Sequence, residues 1–344
     1  MGKRQKVTMK AIADELGLSV SVVSRVLSGQ AAQYRISKKS EEAILKAADE
    51  LDFSPNKLAR GLRLSKTATF GLVIPDISNP FFSDIARHVA IEARKLGYSI
   101  ILCDSEENTA IEKTSLNLLQ SWMVDGLVIS PVGLTGDHLE ELHTGGLPVV
   151  VVDRHFPDVD LPYVTSDNFT GAYEGTRHLL EHGHRSIGFV QGIPDSGSNV
   201  DRVRGYKAAL EEYGVSFKKS LVVGDDFGQK SGYTATKLLL KRKVRPTAVF
   251  LASNLIALGA VRAFAEQGVD IPNDVSVVAF DDEPHSPHLA TPMTTIAQQT
   301  AEMGRIAVEL LSKQIEGDEV RAPEGILLPT RLIQRESVSD IRGE

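Results

Sequence analysis

From Phe70 to Phe280 the chain repeats one pattern: a short, continuous apolar run, then a longer stretch with apolar residues at helical spacing. Phe70–Pro75, Ser99–Cys103, Gly126–Ser130 and Val149–Val152 form a first set of runs. Ser186–Val190, Leu221–Val223, Ala248–Ala252 and Val275–Phe280 form a second. Short apolar runs without alternation suit strands buried on both faces, and stretches such as Ser83–Leu96 and Val203–Tyr213 suit amphipathic helices between them. Parallel strands need such crossovers, so the pattern predicts an α/β body of two similar lobes with parallel sheets.

Polar residues gather where the runs stop: Pro75-Asp76, Cys103-Asp104, Asp153-Arg154, Gln191-Gly192, Asp225-Asp226, Ser253-Asn254 and Asp281-Asp282. Ligands of open α/β sheets sit outside the carboxyl ends of the strands. Two facing lobes would bring several of these ends into one cleft.

The first 66 residues are different in kind. They hold 13 Lys and Arg against 7 Asp and Glu, a surplus of six positive charges, whereas the remainder holds 25 against 38. Only the N-terminal segment is therefore suited to a polyanion. Thr8 is placed to cap a helix whose apolar positions are Met9, Ile12, Ala13 and Leu16, and Gly17 stops it. Ser19 caps a second helix with Val22, Val23, Val26 and Leu27 inward, ended by Ser28-Gly29. Two short helices around a tight glycine turn make a helix-turn-helix, with small Ala13 at the crossing. A third helix follows Ser37 and runs to about Leu51, with Ala43, Ile44, Ala47, Ala48 and Leu51 inward.

The second helix carries a polar face of Ser19, Ser21, Ser24, Arg25 and Ser28, as expected of a helix that reads base edges in the major groove. Val20 suits a thymine methyl, Ser21 a base edge and Arg25 a guanine. Thr8, Tyr34 and Lys38-Lys39 suit phosphates. The following segment, Phe53-Ser-Pro-Asn-Lys-Leu-Ala-Arg-Gly-Leu-Arg-Leu-Ser-Lys66, has Pro55 at a helix start and Leu58, Ala59 and Leu62 on one face. It is too short to be stable alone, which is the behaviour expected of a conditional hinge.

The stretch Val7-Thr-Met-Lys-Ala-Ile-Ala-Asp-Glu-Leu-Gly-Leu-Ser-Val-Ser-Val-Val-Ser-Arg-Val-Leu-Ser-Gly29 resembles the lactose/galactose repressor (LacI/GalR) family. So do Ile36-Ser, Ala47-Ala48, Phe53-Ser-Pro-Asn and Ala59-Arg-Gly-Leu62. The resemblance continues almost to the C-terminus, where the body is similar to periplasmic sugar-binding proteins. It implies a headpiece at 1–54 and a hinge helix at 55–66. It implies one lobe from 67–166 and 298–327, and another from 167–297 and 328–344. It also implies that Leu62 wedges into a central minor-groove base step with Arg63 beside it. Met9, Lys57 and Ala59 complete the implied DNA-contacting set.

In the body the resemblance implies an effector site. Asp76-Ile-Ser-Asn-Pro-Phe-Phe82 matches a lining loop with Phe81 and Phe82 as walls, and Asp153-Arg154 lies at the fourth strand end. Arg202 matches an effector-contacting arginine, Phe227 an aromatic that packs on the ligand, and Asp281 a carboxylate for hydroxyls or ring nitrogens. Gln298 is a weaker candidate. Ser253-Asn254 departs from the Asn-Asp of many relatives and removes a carboxylate from the Asn254 position.

Other readings stay open for several of these residues. Asp281-Asp282 also fits a helix cap, Arg154 a salt bridge at the rim, and Leu62 packing against the body. His182-Gly-His184 lacks a third ligand at metal spacing, so no metal is expected. Trp122 is expected to pack in the helix before Asp125-Gly126. No hydrolase, P-loop, zinc-protease or dinucleotide motif occurs, so no enzyme activity and no cofactor are expected. A lone Cys103, no secretion signal and no long apolar run point to the cytoplasm and away from a membrane. The expected partners are double-stranded operator DNA, a second copy of the chain, and a small effector. A sugar or sugar derivative is favoured for the effector, with a nucleobase left open.

Overall fold

The computed structural model describes residues 8–27, 29–51, 53, 66–317 and 325–343. The chain divides into two units, Met1–Thr67 and Ala68–Glu344. The proposed hinge residues Lys57, Ala59, Leu62 and Arg63, together with Ser28, lie outside the described residues.

The first unit holds α1 (Met9–Leu16), α2 (Val20–Leu27) and α3 (Lys38–Glu50). Each starts on a hydroxyl: Thr8 Oγ1 accepts the Ala11 N–H at 3.3 Å, Ser19 Oγ the Val22 N–H at 3.3 Å, and Ser37 Oγ the Ser40 N–H at 3.1 Å. Gly17 closes α1 at φ 62°, where a side chain would strain the backbone. Ile12, Ala13, Val23, Val26, Ala31, Ile44, Ala47 and Ala48 form the core of this unit. A core this small gives only marginal stability.

The second unit contains two six-stranded sheets. The first comprises β1 (Thr69–Ile74), β2 (Ser99–Asp104), β3 (Gly126–Ile129), β4 (Val149–Val152), β5 (Tyr163–Ser166) and β11 (Gly325–Leu328). Its order is β11-β5-β4-β3-β1-β2, and every pair is parallel. With it go α4 (Pro80–Lys95), α5 (Thr109–Ser121), α6 (Asp137–Thr144) and α11 (Thr300–Glu316).

The second sheet comprises β6 (Ile187–Val190), β7 (Val222–Val223), β8 (Ala248–Leu251), β9 (Ser276–Phe280), β10 (Thr294–Ala297) and β12 (Arg331–Ile333). Its order is β12-β10-β9-β8-β6-β7, with only β12 antiparallel. Helices α7 (Asn168–Glu181), α8 (Gly197–Glu212), α9 (Gln229–Leu240) and α10 (Asn254–Glu266) accompany it. The two-lobed α/β architecture is the expected one.

Several details differ from the sequence expectation. Strands β5, β10, β11 and β12 were not foreseen, because they are short and all but β11 carry polar residues among the apolar ones. β2 is exposed or half-buried along its length. It is a sheet edge, not a buried strand, as is β7. Helix α4 starts three residues before the expected Ser83, since Asn79 caps it with Pro80 at its first position. Helix α8 starts six residues before Val203, so Arg202 lies on a helix. Trp122 does not pack; it ends α5 with 48% of its surface exposed.

The chain crosses between lobes three times, between β5 and α7, between β10 and α11, and between β11 and β12. The crossings hold one another: the Asp167 N–H donates to Leu328 O at 2.8 Å, and Gln299 Nε2 to Pro329 O at 2.8 Å. Among the described residues no helix is long and apolar enough to span a membrane.

Candidate functional site

In the first unit, α2 turns Val23 and Val26 inward and leaves Val20, Ser21 and Arg25 exposed. Ser19 Oγ and Ser21 Oγ are 2.9 Å apart, so Ser21 has an internal partner that a base edge would replace. The Arg25 guanidinium lies over the Tyr34 ring, 3.9 Å from its centroid. That stacking limits the arginine's rotamers while its charge remains in solvent. Ser24 and Met9 are half-buried, whereas Thr8, Tyr34, Lys38 and Lys39 are exposed.

In the second unit, the strand ends of both lobes line one cavity of about 90 Å3. It gathers all the sequence-predicted residues: Asp76, Phe81, Phe82, Asp153 and Arg154 from the first lobe, Arg202, Phe227, Asn254 and Asp281 from the second, and Gln298 from a crossing. Phe81 and Phe82 reach it from the first turn of α4 and not from a loop, with their rings edge to face at 5.1 Å.

Asp153 follows β4 and Asp281 follows β9, both in left-handed backbone at φ 63° and φ 74°. Aspartate is among the few residues that tolerate this conformation. The Asp281 carboxylate accepts the Asn254 N–H at 3.0 Å and Gln298 Nε2 at 2.5 Å. It therefore accepts an N–H of the first turn of α10, as the helix-cap reading expects, and also lines the cavity. Asp282 turns away to Arg335 and Thr295. Asp153 is 5% exposed, and no described residue donates a hydrogen bond to its carboxylate. Arg154 Nε comes only to 3.8 Å. Burial pushes the Asp153 carboxyl up to about 6, against the pull of Arg154 and Arg202.

Arg154 makes the salt bridge that its alternative reading expects, a bidentate pair with Glu107 at 2.7 and 2.6 Å, and lines the cavity. Its guanidinium sits 5.5 Å from the ring centroids of Phe82 and Phe227, which lie in different lobes. A Cβ at Gly192 would strike the Phe227 ring, so glycine there gives the ring its place. Arg202 donates Nε to Asn168 Oδ1 at 2.8 Å and Nη1 to Ala252 O at 2.5 Å, over the Phe280 ring.

Asn254 bridges the lobes. Its Nδ2 donates to Asn79 Oδ1 of the first lobe at 2.8 Å and to Glu283 Oε1 of the second at 2.8 Å. Burial, then the neighbouring Asp281 charge, raises the Glu283 carboxyl to about 7. The Asn254 side chain thus bonds a carboxylate that does not itself line the cavity.

The sequence reading did not single out Asn79, Glu107, Asn168 or Glu283. An Asn-Pro pair ahead of an amphipathic stretch marks a cap, so Asn79 was within reach. The others carry no local signal. The His178 and His182 rings lie tilted against each other with centroids 4.3 Å apart, and His184 Nδ1 meets Thr247 Oγ1 at 3.0 Å. No group of three His, Cys, Asp or Glu among the described residues is placed to hold a metal.

Known proteins match both units. Residues 8–56 match the bacterial regulatory proteins of the lacI family. Residues 67–336 match the family of periplasmic binding proteins and sugar-binding domains of LacI-type regulators. Catabolite control protein A of Priestia megaterium is 32% identical over 332 residues, covering 96% of this chain and 99% of that protein. The ribose operon repressor of Halalkalibacterium halodurans is 34% identical over 330 residues, covering 96% of each. The lac repressor dimer bound to operator and the anti-inducer ONPF superposes with a TM-score of 0.86 at 26% identity, covering 97% of this chain and all of that one.

Proposed function

The chain belongs to the LacI family of bacterial regulatory proteins, and on that premise we propose a cytoplasmic homodimeric repressor whose operator binding is set by a small molecule in the interlobe cleft. It is a DNA-binding transcriptional regulator and not an enzyme. What carries the reading is the pairing, in one chain, of an exposed Val20-Ser21-Arg25 face with a cleft to which both lobes contribute.

Two copies of α2 enter successive major grooves, so the dimer axis matches a pseudo-palindromic operator. Val20, Ser21 and Arg25 read base edges from Ser19–Leu27, and Ser24 and Ser28 belong to the same DNA-contacting set. Thr8, Met9 and Tyr34 hold the backbone. Lys57, Ala59, Leu62 and Arg63 act at the central minor groove. The units divide as 1–54, 55–66, 67–166 with 298–327, and 167–297 with 328–344.

The effector, a sugar or sugar derivative in this reading, is held by Asp76, Asp153, Arg154, Arg202, Asn254, Asp281 and Gln298, with Phe81, Phe82 and Phe227 against its apolar edges. Bidentate polar groups and aromatic faces suit vicinal hydroxyls on an apolar ring. Pockets for small ligands usually measure roughly 300–1,000 Å3. A cavity of about 90 Å3 must widen to admit one, and the Asn79–Asn254 bond would part as it does. Ligand and operator then bias one equilibrium between lobe arrangements, and their coupling is reciprocal.

Gel-shift titration on DNA upstream of the chain's own gene, with and without sugars, tests the reading. Specific binding that shifts with one sugar is expected; no specific binding under any condition would overturn it. Arg25→Ala should cost about 1–3 kcal/mol and relax preference at one base pair. A uniform loss on all sequences would remove Arg25 from the base-reading set.

A further inference from the structure

Arg25 stands in the last turn of α2, whereas the first residues of a recognition helix lie nearest the bases. In the base-reading role proposed above, on which this inference rests, it must reach back along the groove. Arginine is among the side chains that lose most freedom when held in one conformation. No described residue accepts a hydrogen bond from the Arg25 guanidinium or forms an ion pair with it. What holds it is a ring, since the guanidinium carbon lies 3.9 Å from the Tyr34 centroid.

The loop after α2 delivers that ring. The Gln30 N–H donates to Arg25 O at 2.9 Å, the Tyr34 N–H to Gln30 O at 3.1 Å, and the Ile36 N–H to Ala31 O at 2.9 Å. Ala31 belongs to the core of the unit and Ile36 packs against it, so the turn is anchored on both sides of Tyr34. Burial does not explain the tyrosine itself, which keeps 44% of its surface exposed. The first 66 residues hold one other aromatic, Phe53, and that one packs on the core. An aromatic face holds a guanidinium without using its N–H edge, the edge that pairs with guanine O6 and N7. A carboxylate partner takes those same N–H groups, as Glu107 does at Arg154.

We infer that Tyr34 is a positioning residue for Arg25: its ring presets the guanidinium for one base pair of each operator half-site. Tyr34 then contributes to sequence preference through its ring, while its hydroxyl serves the DNA backbone.

The test is gel-shift competition with the full chain, on the DNA segment it protects upstream of its own gene and on single base-pair variants of that segment. Arg25→Ala locates the base pair at which preference disappears. Tyr34→Leu should lower preference at that same base pair about fivefold and leave the other positions within about twofold. Tyr34→Phe keeps the ring, so it should retain the preference while weakening binding to all sequences alike. Tyr34→Leu added to Arg25→Ala should change preference no further. Preference is a ratio of affinities, so a partly unfolded variant leaves it unmoved, and Tyr34→Gln replaces the leucine variant should that one not fold. Full preference without the ring overturns the inference. So does an equal loss in Tyr34→Phe, or a further loss on the Arg25→Ala background. If Arg25→Ala itself costs no preference at any base pair, the base-reading role of Arg25 fails, and the inference with it.

Discussion

Asp153 and Asp281 end strands at corresponding places in the two lobes, in the same left-handed backbone, yet their carboxylates meet different surroundings. Asp281 is held by an α10 N–H and by Gln298, whereas Asp153 is buried without a donor among the described residues. The neighbouring strand explains the difference. β9 lies beside β8, and α10 begins three residues after β8 ends, so its first N–H groups point at Asp281. β4 lies beside β3, but α6 begins eight residues after β3 ends, so the helix start that follows β3 does not reach Asp153. One residue type, in one conformation, is scaffold in one lobe and free acceptor in the other.

Asp281→Ala should produce the largest effect. It removes the acceptor of the Asn254 N–H and of Gln298, with Ser253 still capping α10, and leaves alanine in left-handed backbone. The lost hydrogen bonds to a charged group cost about 1.5 kcal/mol or more and the backbone roughly 1–2 more. We expect a loss of about 3 kcal/mol, read as a fall in Tm of about 6 °C for a unit of this size. Asp281→Asn keeps an oxygen for the Asn254 N–H and should recover most of it. Equal damage from both would mean that the charge, and not the accepting oxygen, matters.

Asp153→Asn should act in the opposite direction on stability. The folded pKa is raised from 3.8 to about 6, so the buried carboxyl favours folding fully below the lower value and loses that contribution as pH rises through about 6. Arg154 and Arg202 pull it down, Asp281 and Glu107 push it up, and burial outweighs the arginines. The amide avoids the cost of ionisation. The variant should be more stable than wild type by roughly 2 kcal/mol at pH 8, with the gain shrinking through pH 6 and gone near pH 4. Glu283 titrates in the same direction but is present in both proteins, so the difference isolates Asp153. Denaturant unfolding at several pH values measures it. A variant less stable than wild type at pH 8 would show that Asp153 is held as Asp281 is.

The sequence reached the two aspartates by the same route, as polar residues after apolar runs, and had no means of telling them apart. Strand ends are legible because a buried run must stop where solvent or ligand begins. Asp76, Asp153, Arg154, Asn254 and Asp281 came together for that reason, whereas Phe81, Phe82, Arg202, Phe227 and Gln298 were reached through the family resemblance. What separates Asp153 from Asp281 is the distance from a neighbouring strand to the next helix, which depends on strand order. Glu107 and Glu283 were illegible for a related reason, since each matters only through a partner distant in sequence, Arg154 and Asn254. Trp122 failed differently: a large apolar residue next to a helix was taken as core, whereas the inward face of α5 is Ser115, Leu116 and Leu119.

Gln298→Ala is the smallest perturbation and the sharpest test of what makes Asp281 scaffold. The side chain sits on a lobe crossing, donates Nε2 to Asp281, and keeps Oε1 buried without a partner among the described residues. Losing a hydrogen bond to a charged group costs about 1.5–3 kcal/mol, but removing an unsatisfied buried oxygen returns about 1–2. The net change should be about 1 kcal/mol or less, near the limit of a denaturation measurement. Affinity is the more telling readout. With Gln298 gone, one Asp281 oxygen is freed, and the residue moves towards the state of Asp153. Because Gln298 also holds the ligand in the proposed reading, binding of a sugar should weaken about tenfold, roughly 1.4 kcal/mol. Unchanged or tighter binding would remove Gln298 from the ligand-holding set and leave it only as the prop of Asp281.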